Sequence, residues 1–151
     1  MRLKLIAAII LTTALCGLLT SRGAEKKEVA KFEVQLLWGT DAEKSPNPKH
    51  KPVDPDVAKK LKSLPLKFKN YFLVNRKRVE AALGETKNEP ISEKCAVEIK
   101  NLGHSTFEIS LFGKGEQLVK RTQKFPVGEI LLLGGNAPNS TAWLVVLKRL
   151  E

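Results

Sequence analysis

The sequence predicts a mainly β protein: an antiparallel β-sandwich or barrel-like domain of about seven strands with one short α-helix, preceded by a signal peptide. Three observations carry this. Apolar and polar residues alternate with period two in runs from residue 29 to the end, turns containing glycine separate most of those runs, and only one segment shows a helical stripe behind a capping signal. After residue 90 the connections are too short for the crossover helices of a parallel sheet. With 42% apolar and 28% charged residues in 151, the composition is that of a folded domain and excludes disorder as the default state.

The N-terminus reads as an export signal. Arg2 and Lys4 precede an apolar stretch over residues 5–19, followed by the small residues Thr20, Ser21 and Gly23. Fifteen helical residues reach about 22 Å, short of a bilayer core of about 30 Å, so a cleaved signal peptide over 1–23 is expected rather than an anchor, with no membrane span in the mature chain. Cleavage after Gly23 makes Ala24 the first residue; cleavage after Ala24 would put bulky Arg22 at a constrained position. Lipid attachment at Cys16 is disfavoured by Leu15 directly before it. Removal of 1–23 takes away three basic residues and no acid, leaving 23 basic and 16 acidic residues and a net charge of +7. The expected destination is the periplasm or the exterior.

Residues 24–28 are short, charged and expected to fray, and 29–151 form one β-rich domain. Phe32, Val34 and Leu36 alternate with Lys31, Glu33 and Gln35 as a first half-buried strand that Gly39 ends. Residues 40–52, with three prolines, read as a solvated loop. The helix follows: Asp54 as cap, Pro55 at the first helical position, Asp56 at the positive end of the dipole, an apolar stripe of Val57, Leu61 and Leu64, and Pro65 as stop. A strand over residues 68–79 is rich in aromatic and branched side chains. Residues 84–90 are a polar connection. Cys95, Val97 and Ile99, then Phe107, Ile109 and Leu111, make a hairpin that turns over residues 101–103. Gly113 and Gly115 permit the next turn into a strand over residues 116–123, then a short aliphatic strand at 129–133, a turn over 134–139 and a last strand over 141–150.

No pattern points to an enzyme or a cofactor. His50 and His104 stand 54 residues apart without metal-ligand spacing. His104 and Ser105 read as turn residues rather than a nucleophile pair, because neighbours in a strand face opposite ways. Asp54 and Asp56 are explained by the helix start, and the GKGE and GGN segments lack the strand-to-helix context of a phosphate loop. Cys95, the one cysteine left after cleavage, reads as a buried, unreactive thiol. Asn139, Ser140 and Thr141 match a glycosylation triplet that carries little weight in a bacterial export context.

Charge is the uneven feature. Between residues 57 and 79 stand Lys59, Lys60, Lys62, Lys67, Lys69, Arg76, Lys77 and Arg78, with no acid among them. Interleaved with Phe68, Tyr71 and Phe72, they form a candidate anion-binding surface; the competing reading is a solvated helix face beside core aromatics. The expected function is a non-catalytic exported binding module for anionic envelope components, such as a lipid surface, or for an acidic polysaccharide; nucleic acid is not the expected partner of an exported chain. The alternative is an accessory subunit that pairs through a sheet edge with a larger envelope or secretion assembly.

The strings KFEVQLLWGT, VDPDVAKKLKSLPLKFKNYFLVN, LFGKGE, LLLGG and TAWLVVLK resemble small exported bacterial β-rich proteins with no assigned activity. The resemblance implies export and a β-rich body.

Overall fold

The computed structural model describes residues 28–136 and 142–151. The expected signal peptide, Cys16, most of the N-terminal segment expected to fray and the triplet Asn139, Ser140 and Thr141 lie outside them. The elements run β1 (Val29–Thr40), β2 (Lys51–Pro52), α1 (Pro55–Lys62), β3 (Asn70–Ala82), β4 (Thr86–Ser92), β5 (Cys95–Gly103), β6 (Thr106–Gly113), β7 (Glu116–Lys124), β8 (Ile130–Asn136) and β9 (Ala142–Arg149). They form a five-stranded sheet in the order β2-β3-β1-β9-β8 and a four-stranded meander β4-β5-β6-β7, antiparallel throughout. The two sheets do not close into a barrel.

The alternating residues read from the sequence build the space between the sheets. Phe32, Val34 and Leu36 of β1, Val145 and Leu147 of β9, and Val97, Ile99, Phe107, Ile109 and Leu111 from the meander are buried there together. Phe32 meets Phe107 edge-on at 5.0 Å and stacks on Phe125 at 5.7 Å. The guanidinium of Arg149 lies 5.0 Å over the Phe107 ring and donates from Nη1 to the Phe125 carbonyl at 2.7 Å, so a cation seals this end of the core.

Among the described residues the strand count rises to nine because two polar edge strands escape a search for apolar alternation. β2 is two residues pairing with Leu73 and Phe72. The stretch expected as a polar connection is instead largely β4; it has one sheet neighbour, buries only Ile91, and tolerates Pro90 as an edge strand does. Gly39 does not end β1: it is buried within the strand, and a Cβ there would stand 2.6 Å from the Tyr71 ring that covers it. The helix stops at Lys62, before Pro65, so Leu64 lies outside it and only Val57 and Leu61 are buried from the expected stripe. Gly134 and Gly135 belong to β8 rather than to a turn. Cys95 packs on the core from the expected face but is half-buried, and burial raises its thiol pKa.

The hairpin between β5 and β6 turns at His104 and Ser105, past the expected position. Asn101 stays in β5, fully buried, where its side chain donates to the Ala81 carbonyl and accepts from the Gly103 N–H. His104 and Ser105 take φ of 51° and 57°, the two left-handed residues of a tight hairpin turn that favours Asn-Gly. Replacing them by His104→Asn with Ser105→Gly is expected to stabilise the fold by about 1 kcal/mol, read as a higher urea midpoint at constant m-value. An unchanged or lower midpoint would contradict the strain assigned to this turn.

Candidate functional site

β1 lies between β3 and β9, and its second face is also covered. Leu37, Leu73, Leu144 and Val146 pack there against Val57 and Leu61 of α1. The polar residues of β1 are therefore not solvated: Glu33 is 7% exposed and Gln35 is 0% exposed. Buried polar groups need partners, and the helix start supplies them. The Gln35 amide donates from Nε2 to Glu33 Oε1 at 2.6 Å and to Asp54 Oδ2 at 3.0 Å. Arg76, opposite Gln35 in the register, donates from Nη2 to both Asp54 oxygens at 2.6 Å and holds Nε 3.5 Å from Glu33 Oε1. Arg78 Nε lies 4.0 Å from Glu33 Oε2, and Lys148 of β9 binds Asp56. Three carboxylates thus face three cations.

Asp54 occupies the cap position without capping; its carboxylate is held by Arg76 and Gln35 instead. That hydrogen bond keeps Arg76 firmly protonated. Asp56 hydrogen-bonds the Val57 N–H, and the hydrogen bond from Lys148 draws its carboxyl below the usual range. Gln35 Oε1 is left buried with no partner among the described residues. Reversing the amide would aim the oxygen at two carboxylates, so the orientation is forced.

Beside this network the chain leaves β2 for α1, and a notch of about 510 Å³ opens at the sheet edge. Lys49, Lys51, Asp54, Asn75 and Arg76 line it. At its wall β3 carries one extra residue, Val74, against Leu36 and Leu37 of β1. Asn75 donates to the Ile91 carbonyl at 2.8 Å and Lys77 reaches Glu89 at 3.3 Å, tying the two sheets together along this rim.

The eight cations read from the sequence thus divide. Arg76, Lys77 and Arg78 are paired with carboxylates from β1, β4 and the helix start. Lys59, Lys60, Lys62, Lys67 and Lys69 are exposed, and among the described residues none forms an ion pair. Phe68 is buried, with Lys67 Nζ 5.5 Å above its ring, and Tyr71 packs beside the helix, so these aromatics belong to the interior rather than to a stacking surface. Lys49 and Lys51 fall outside the window in which charge accumulates in the sequence; their one visible mark is that they bracket His50, whose ring meets Trp38 edge-on at 5.6 Å. The register also sets Phe72, Trp38 and Trp143 side by side on the core face of the larger sheet, with Trp143 41% exposed. Widely spaced along the chain, these three have no local pattern to betray them.

Among the described residues no three His, Cys, Asp or Glu side chains gather as metal ligands, and no helix is long and apolar enough to cross a membrane. Comparison with known proteins found no matching family model, no matching curated protein and no matching solved structure.

Two outcomes check the network. Glu33→Ala removes the buried acceptor shared by Gln35 and Arg76, leaving both to Asp54 alone, and is expected to destabilise by about 2 kcal/mol, against about 1 kcal/mol for Asp54→Ala, whose side chain is 32% exposed. Urea unfolding gives the ranking, and the reverse order would place the weight on the helix start alone. The lowered carboxyl of Asp56 contributes stability above the ordinary aspartate value of about 4, lost as pH falls through its native value. The Tm gap between wild type and Asp56→Asn should therefore be widest above the ordinary aspartate value of about 4 and close as pH falls through the lowered native value.

Proposed function

We propose that the chain is exported, with residues 1–23 removed, and that it acts without catalysis as a binding module whose lysine face takes up repeated anionic groups of an envelope component or an acidic polysaccharide. The observation that carries the reading is the exposure of Lys59, Lys60, Lys62, Lys67 and Lys69 without carboxylate partners on α1 and the segment after it. Unpaired cations gathered on one element keep their field in solution, whereas Arg76 is held against two carboxylates. Lys49 and Lys51 add two exposed cations at the notch beside the helix start. No side chain here defines a sugar or a headgroup. Recognition then rests on charge density, and the shared ligand chemistry is a phosphate or carboxylate repeat.

A second reading, an accessory subunit that pairs through a sheet edge with a larger envelope assembly, is favoured by the outer edge of β8, whose seven residues carry no charge.

Binding to vesicles rich in anionic lipid and to an acidic polysaccharide, measured from low to physiological salt, tests the first reading. Affinity for at least one of the two should fall by about tenfold or more over that range, by release of counterions. Lys59→Glu with Lys60→Glu and Lys62→Glu should abolish it, while Arg121→Glu with Lys124→Glu on exposed positions of β7 should leave it nearly unchanged. Salt-independent binding, or equal loss from both sets, would overturn the reading.

A further inference from the structure

The four outer strands of the two sheets are unlike one another. β3, which β2 covers for two residues only, carries Arg76, Lys77, Arg78 and Glu80; β4 carries Lys87, Glu89 and Pro90; β7 carries Glu116, Lys120, Arg121 and Lys124. Charges and proline on an edge resist the addition of another strand. β8 has neither: it reads Ile-Leu-Leu-Leu-Gly-Gly-Asn and pairs, among the described residues, with β9 alone.

Its order of side chains is self-complementary. Large residues fill the first half and glycines follow, so an antiparallel copy centred on Leu133 sets Leu131 against Gly135 and Leu132 against Gly134, in both directions. The hydrogen-bonding phase agrees. Arg149 donates its N–H to the Glu129 carbonyl at 3.1 Å, so by alternation Ile130, Leu132 and Gly134 turn their N–H and C=O groups away from β9, towards the free edge. With that centre the outward groups of Leu132 meet those of Gly134 in the other chain, as an antiparallel ladder requires. Gly135 also stands opposite the exposed Trp143, beside which the incoming Leu131 would lie.

We propose that β8 pairs with β8 of a second copy of this chain, joining two five-stranded sheets into one of ten strands about a two-fold axis at Leu133. A second copy carries the same excess of positive charge, and of the four edges only β8 brings none of that charge to the contact. The proposal gives the edge-pairing reading one occupant and does not depend on anion binding.

Sedimentation of the purified chain over a concentration series, together with two substitutions at Gly134, provides the test. A Cβ at Gly134 would meet only Leu144 Cδ2, at 3.6 Å, so Gly134→Lys fits the monomer while setting a charge in the joint. Gly134→Pro removes one outward N–H at an edge position, where proline is tolerated. Wild type is expected to dimerise with rising concentration, and each substitution to weaken the dimer by at least about tenfold. Hydrogen exchange on wild type decides the matter even where a variant fails to fold: the Leu132 and Gly134 amides should gain protection as concentration rises, and those on the outer edge of β3 should not. A chain monomeric throughout, a dimer that survives both substitutions, or β8 amides indifferent to concentration would overturn self-pairing. Protection of β8 that appears only when host extract is added would also overturn it, while leaving edge pairing with another protein in place.

Discussion

The structure depends on covering β1 from both sides. As a central strand it hydrogen-bonds to β3 and β9, and its two rows of side chains are of opposite character. The row of Phe32, Val34 and Leu36 is satisfied by the facing sheet through apolar burial. The row of Glu33, Gln35 and Leu37 requires a cover that brings counter-charges and donors with it. α1 does both: Val57 and Leu61 press on Leu37 and its neighbours, while the two aspartates flanking Pro55 reach down on either side of β1. Asp54 holds Arg76 on β3 and Asp56 holds Lys148 on β9, so the helix start is stapled across three adjacent strands.

Such a network is a weak source of net stability, since desolvating its charges offsets most of their attraction. Its effect is on placement. An apolar stripe of two residues would let an eight-residue helix slide or rotate on an aliphatic sheet; two directed ion pairs to strands on opposite sides of β1 do not. Fixing the helix this way points Lys59, Lys60 and Lys62 outward, away from the buried Val57 and Leu61. Those lysines also crowd the last turn, where the negative end of the helix dipole favours them. The same network that pairs Arg76 with Asp54 and Glu33 thereby sets the orientation of the lysines on the helix.

The core of the sandwich was legible because period-two alternation is a local signal, and it placed Phe32, Val97, Ile99, Phe107 and Ile109 correctly. The polar face of β1 was not legible: alternation marks two faces but does not say whether the second is covered, and Glu33 and Gln35 read there as ordinary solvated positions. The partition of the basic stretch was hidden for a related reason. Arg76 meets Asp54 across 22 residues of sequence and Arg78 meets Glu33 across the β1–β3 ladder, so a charge count along the chain sees eight cations where folding leaves five unpaired. β4 was missed because an edge strand solvated on most of its surface has little apolar content to alternate. Gly39 misled for the opposite reason, since a glycine under the Tyr71 ring marks close packing and not an end.

Geometry also bears on which anionic partner suits the lysine face. In the proposed pair the two-fold axis would run normal to the joined sheet, because antiparallel pairing of identical edges keeps like faces on the same side. Both helices then lie over one face of ten strands, five strand spacings apart when measured from β1 to its copy, or about 24 Å. Strands in a sheet are turned by about 20° at each step, so across five steps the second lysine face is rotated by about 100° from the first. A flat bilayer would meet one face at a time and gain little from the second. A flexible polyanion can bend from one face to the other, and the second contact then forms at the raised effective concentration that linked sites enjoy. If the proposed pair forms and the lysine face binds anions, the twist of the sheet would thus favour an acidic polymer over a membrane surface, on the same lysines and without any added contact.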